Sequence, residues 1–82
     1  MKQVNFYTKP NCKLCDEIKE MLETYKLMYE FEIVEQNIEQ DDQLLNKYFL
    51  TIPVVKVNNQ ELDVSELNAG SLDDLLKENL TE

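Results

Sequence analysis

Phe6-Tyr7-Thr8-Lys9-Pro10-Asn11-Cys12-Lys13-Leu14-Cys15 is the stretch on which the reading of the chain turns. Its beginning closes an alternating run. Over residues 2–7, Val4 and Phe6 fall on one face and Asn5 and Tyr7 on the other, the period-two pattern of a short strand. Residues 8–11, with Pro10, form a turn-forming segment. From residue 12 to residue 29 the period changes. Leu14, Ile18, Met21, Leu22, Tyr25, Met28 and Tyr29 recur at steps of three and four, charged residues fall between them, and no Gly or Pro interrupts. That is an amphipathic helix. Asn11 or Cys12 stands where a cap belongs, and Asp16 and Glu17 suit the positive end of the helix. Two cysteines three residues apart therefore open a helix directly after a strand and a turn.

The placement matters chemically. The first amides of a helix have no intrahelical acceptor, so they favour a negative sulfur there. Lys13, and Lys9 in the preceding turn, add positive potential, while Asp16 and Glu17 oppose it. Cys12 is thereby the candidate nucleophile. Cys15 lies on the same helix face nearly a turn deeper, where it can resolve a mixed disulfide formed on Cys12. Three other readings of the pair stay open: half of a zinc site completed by a second copy, cysteines that merely fill apolar space, and a binding module that keeps the fold without turnover.

Further along, Phe31, Ile33 and Glu35 alternate against Glu32, Val34 and Gln36, which reads as a second strand. Residues 39–48 read as a short helix with an acidic start and with Leu44, Leu45 and Tyr48 facing inward. Val54–Val57 is a strand, and Asn58-Asn59 is the turn of a hairpin into residues 61–64. Leu72, Leu75, Leu76 and Leu80 mark a final amphipathic helix, with Ser71 as its expected cap and Asp73 and Asp74 in its first turn. The order is strand, helix, strand, helix, strand, strand, helix. The first two strands, joined through a helix, should be parallel and the last two antiparallel. This predicts an α/β fold with a four-stranded mixed sheet flanked by three helices. Pro53 reads either as punctuation at a strand entry or as a cis Ile52–Pro53 bond packed opposite the dithiol.

Bulk properties narrow the function. The 82 residues fit one domain, 1–82, with a small core. Seventeen acidic residues against eight lysines, with no arginine, give a net charge of −9, which disfavours nucleic acid and anionic membranes. There is no apolar run long enough to span a bilayer and no leader-like start, so the expected compartment is the cytoplasm. The absence of histidine excludes Cys–His and Ser–His–Asp catalysis within this chain, and the carboxylates show no metal-ligand pattern. A bridge closing so small a loop removes little chain entropy, so stabilisation is a poor reason for the pair.

The stretch from Phe6 to Cys15, the run Val34-Glu35-Gln36-Asn37 and the run Thr51-Ile52-Pro53-Val54 together resemble the thioredoxin superfamily, and within it the small glutaredoxin-like dithiol proteins. The resemblance covers nearly the whole chain in the right order. It implies a thioredoxin-like (glutaredoxin-like) fold, with Cys12 as nucleophile, Cys15 as resolving thiol and Pro53 as a cis-proline beside them. It also implies that Thr51 and Ile52 meet substrate, Ile52 through its backbone, that Lys9 pairs with a glutathione carboxylate, and that Asp73 and Asp74 meet the ligand's amino group. The chain departs from the usual pattern in carrying Lys13-Leu14 between the cysteines and Ala69-Gly70 before the last helix. What the resemblance implies is a monomeric disulfide oxidoreductase acting on a protein or small-thiol disulfide. No resident cofactor or metal is expected, and the reductant is glutathione or a thioredoxin-reductase-like flavoprotein.

Overall fold

The computed structural model describes residues 2–80. Its strands are β1 (Lys2–Thr8), β2 (Phe31–Asn37), β3 (Val54–Val57) and β4 (Gln60–Leu62), and its helices are α1 (Lys13–Tyr25), α2 (Asp42–Tyr48) and α3 (Ala69–Leu80). The four strands form one sheet in the order β2-β1-β3-β4. β1 pairs in parallel with β2, from Lys2 opposite Phe31 to Thr8 opposite Asn37. It pairs antiparallel with β3, Tyr7 opposite Val54, and β3 turns back into β4. The mixed sheet expected from the order of elements is thus present.

Alternation along β1 and β3 divides the interior. Val4, Phe6, Val55 and Val57 face α1 and α3, where they pack with Cys15, Ile18, Leu22, Leu72, Leu75 and Leu76. Tyr7 and Val54 face the other way and pack with Ile38 and Tyr48 under α2. The Tyr7 and Tyr48 rings stack with centroids 4.5 Å apart, and the Tyr48 hydroxyl donates to Glu61 Oε2 at 2.9 Å. Helices therefore cover both faces, which is what two strands with apolar residues at successive positions require. β2 is a seven-residue edge strand, with Glu32 and Glu35 exposed on it. Glu35 pairs with Lys19 of α1 at 2.8 Å.

Several local expectations are corrected. The helix expected to run to residue 29 ends at Tyr25. The amides of Leu27 and Met28 bond back three residues, to Thr24 and Tyr25, so the chain tightens out of the α-helix before β2. Met28 consequently projects into solvent instead of joining the apolar face. The segment expected as one helix over 39–48 divides into a 3-10 turn, Ile38–Gln40, and α2. Asp41, extended at φ −144°, caps α2 by accepting from the amides of Gln43 and Leu44. Leu44 and Tyr48, four apart, share its inner side, and Leu45 points outward. The last helix starts earlier than expected. Asn68 is its cap: its side chain accepts from the Ser71 amide at 2.8 Å, and the Ser71 hydroxyl accepts from the Asn68 amide at 3.0 Å. Ser71 is the reciprocal partner of a capping box, three residues inside, and not the cap.

Candidate active site

Cys12 is the N-cap residue of α1, extended at φ −112° and ψ 107°, and Cys15 lies in the first turn. The two sulfurs are joined in a disulfide, with the Cα atoms 5.2 Å apart. The Cys15 backbone N–H donates to Cys12 Sγ at 3.2 Å, and the Asp16 N–H donates to the Cys12 carbonyl at 3.1 Å. The sulfur thus takes the place an oxygen usually holds at a cap and satisfies one of the orphan amides. The two thiols differ in access: Cys15 is 1% exposed, inside the core, while Cys12 is half-buried at its rim.

The turn that delivers Cys12 depends on Asn11. Its φ of 59° lies in the left-handed region, where Asn is among the most tolerated residues with a side chain. Pro10 followed by Asn11 is the order favoured by a turn that needs positive φ at its second central position. The sequence offers Asn11 as a possible cap; its left-handed backbone is what that reading misses, although the Pro-Asn pair carries the signal.

Strand register shows which other residues share this end of the molecule. Tyr7 lies opposite Val54, so Pro53 comes level with Thr8, the end of β1 from which residues 9–12 depart. The Ile52–Pro53 peptide is cis, and Pro53 is fully buried. Thr51 is held on both sides. Its amide and hydroxyl donate to the Tyr48 carbonyl, and its own carbonyl accepts the Val64 amide at 3.0 Å. The Ile52 N–H donates to the Tyr48 carbonyl at 3.1 Å. In this conformation the Ile52 N–H is engaged within the chain. Lys9 is exposed in the turn before Cys12, its carbonyl accepting the Thr8 hydroxyl. Cys12, Cys15, Lys9, Thr51, Ile52 and Pro53 all lie at the Thr8 end of the sheet.

Asp73 and Asp74 stand on α3, beyond its first turn and not within it. The Tyr29 hydroxyl donates to Asp73 Oδ1 at 2.9 Å, and this bond raises the tyrosine's pKa above its usual value, with burial adding to the effect. Tyr29 precedes Phe31, the residue opposite Lys2, so it stands at the far end of a strand about 20 Å long. The Tyr25 hydroxyl donates to the Ala69 carbonyl, which ties the start of α3 to α1. Asp74 faces β4, in a shallow hollow with Gln60, Glu61 and Leu62. Asn79, near the end of α3, bonds to Asn58 and Gln60 at the turn between β3 and β4, so α3 begins toward the Thr8 end of the sheet.

Comparison with known proteins agrees with this geometry. The model of the family described as glutaredoxin-like domain (DUF836) matches residues 3–77. The chain is similar to the solved structure of target protein XcR50 from X. campestris. Identity is 29% and the TM-score 0.72, over 92% of this chain and 96% of that one. It shares its fold with a malarial protein at 13% identity and TM-score 0.66, over 96% of this chain and 97% of that one. A mutant thioredoxin from Halobacterium salinarum NRC-1 also has this fold, at 14% identity and TM-score 0.75, over 98% of this chain and 75% of that one.

Proposed function

The chain belongs to the glutaredoxin-like domain family, and on that premise we propose that it is a dithiol disulfide oxidoreductase working through Cys12 and Cys15. The observation that carries this reading is the bonded pair at the start of α1, with the Cys15 amide directed at the accessible sulfur. A redox-active thioredoxin-fold protein needs two sulfurs that can join without moving the backbone, one reachable and one shielded.

In the reduced protein the Cys12 thiolate attacks one sulfur of a substrate disulfide. A bond forms between Cys12 and that sulfur, and the other substrate sulfur leaves as a thiolate and takes up a proton. Cys15, giving up its proton, then attacks Cys12. The Cys12–Cys15 bond forms, the mixed disulfide breaks, and the second substrate thiol departs. Two electrons have passed to the substrate, and an external thiol of the glutathione or flavoprotein-linked kind returns two to the pair. The cis Ile52–Pro53 segment, level with the turn before Cys12, offers the Ile52 carbonyl to an extended substrate. Lys9, in the turn before Cys12, is a cation at this end suited to a substrate carboxylate.

The test is a trap. A Cys15→Ser chain challenged with 2-hydroxyethyl disulfide should accumulate the mixed disulfide on Cys12, seen as an added mass on the peptide containing that residue. A Cys12→Ser chain should accumulate none and should lose turnover. If Cys12→Ser turns over as fast as the unaltered protein, the reading is wrong.

A further inference from the structure

One flank of α1 is neither in the core nor in the dithiol chemistry. Leu14, Glu17, Met21 and Tyr25 recur at steps of three, four and four and share one side of the helix. The stripe starts between the two cysteines, where Leu14 is 52% exposed. Glu17, Glu20, Met21, Thr24 and Tyr25 line a hollow of about 660 Å³ along it. It ends at the turn after α1, where Leu27 and Met28 are 88% and 67% exposed. An open apolar strip of this kind, leading away from a reactive sulfur, is unusual on a chain this acidic.

The strip's charge is one-sided. Glu17 and Glu20 are exposed on or beside it, while Asp16 and Glu23 lie round the helix toward Lys19. Lys13 is the lysine that neighbours them, since Lys19 is drawn to the opposite flank by Glu35. Among the described residues, Glu17 and Glu20 have no ion-pair partner. The hollow therefore has an apolar floor of Met21 and Tyr25 and an anionic rim.

We infer that this flank of α1 is the docking surface for the protein partner of the dithiol. The occupant is a basic segment of that partner, carrying lysine or arginine side chains and an apolar anchor, laid along α1 with one end at Cys12. The inference rests on the oxidoreductase reading for its biological sense. Its physical basis is separate: complementary charge at the rim, apolar contact in the hollow, and continuity with the dithiol through Leu14.

The experiment uses the oxidised full chain and a fluorophore-labelled, cysteine-free peptide of leucine and lysine, followed by fluorescence anisotropy. A leucine–glutamate peptide is the comparison. The leucine–lysine peptide should bind, and the other should not. Glu17→Lys with Glu20→Lys should weaken binding about tenfold at low salt, with the difference shrinking as salt rises. Glu30→Lys with Glu32→Lys makes the same change in net charge on exposed residues elsewhere, and binding there should stay close to the unaltered value. Equal weakening by both pairs would mean that only the overall charge matters, and no binding at all would remove the surface; either result overturns the inference. Turnover of 2-hydroxyethyl disulfide by the unaltered chain tests the oxidoreductase reading separately, because anisotropy requires no thiol chemistry.

Discussion

The backbone N–H of Cys15 lies 3.2 Å from the sulfur of Cys12, so the resolving residue is also a hydrogen-bond donor to the sulfur it resolves. A donor aimed at a sulfur favours the thiolate over the thiol, and the helix start adds to this. In the reduced protein Cys12 should titrate below the ordinary thiol value of about 8.5. The rate of iodoacetamide alkylation against pH measures it, with the labelled site read by mass spectrometry. Cys15, at 1% exposure, should remain unlabelled while the protein stays folded. A midpoint at or above the ordinary value would remove the electrostatic basis for Cys12 as nucleophile.

Asp73 accepts the Tyr29 hydroxyl at 2.9 Å, so its carboxylate is already engaged within the fold. Asp73→Asn and Tyr29→Phe should therefore leave disulfide turnover close to that of the unaltered chain, with either substrate charge. A small fall in melting temperature is the expected cost of the lost hydrogen bond. A large drop in turnover with an amino-bearing substrate such as cystine, and not with 2-hydroxyethyl disulfide, would place this carboxylate at the site after all.

Tyr48 is buried against Tyr7, and its hydroxyl donates to Glu61. Burial, and then this hydrogen bond, push its pKa well above the ordinary phenol value. A group whose folded value is raised contributes its stability in full below its unfolded value and loses it as pH climbs through the folded one. Tyr48→Phe should accordingly lower stability by about 0.5–1.5 kcal/mol at neutral pH. That difference should persist until about pH 10, the unfolded value, and shrink above it. Denaturant melts of both chains across this range measure it. Tyrosinate absorbance should also show one tyrosine ionising only as the fold is lost.

Leu76 of α3 is fully buried among β3 and α1 residues. Leu76→Ala should cost about 2–5 kcal/mol, a large share of the roughly 5–15 kcal/mol that holds a domain together. Asn68→Ala removes the cap oxygen from the Ser71 amide and should cost about 1 kcal/mol. Urea melts of the two variants should rank in that order. A reversed order would mean that α3 is held mainly at its end.

The dithiol, the order of the elements and the mixed pairing of the strands were legible in the sequence because each rests on a local signal. Val4 and Phe6 alternate with Asn5 and Tyr7, the helical period starts at Cys12, and strands separated by helices run parallel. What escaped depended on tertiary position. The same spacing that put Met28 on the helix face gives no sign that the chain tightens after Tyr25 to enter β2 in register. Asp73 and Asp74 fall in a first turn only if the helix begins at Ser71; α3 begins at Ala69, and the hydroxyl that claims Asp73 comes from 44 residues earlier in the chain. Ser71 looked like a cap, while Asn68, three residues earlier, has a side chain equally suited and the better position.

The edge strand β2 has pairing capacity along its outer side, and its side chains determine what can use it. Glu32 and Glu35 are exposed and, three residues apart, project from opposite faces of the sheet. Two copies meeting rim to rim would bring the Glu32 carboxylates together on one face of the new ladder, a like-charge repulsion that works against its backbone bonds, while Glu35 on the other face stays tied to Lys19. The sheet is thereby guarded from growing into a ribbon of stacked molecules, even where the protein is crowded.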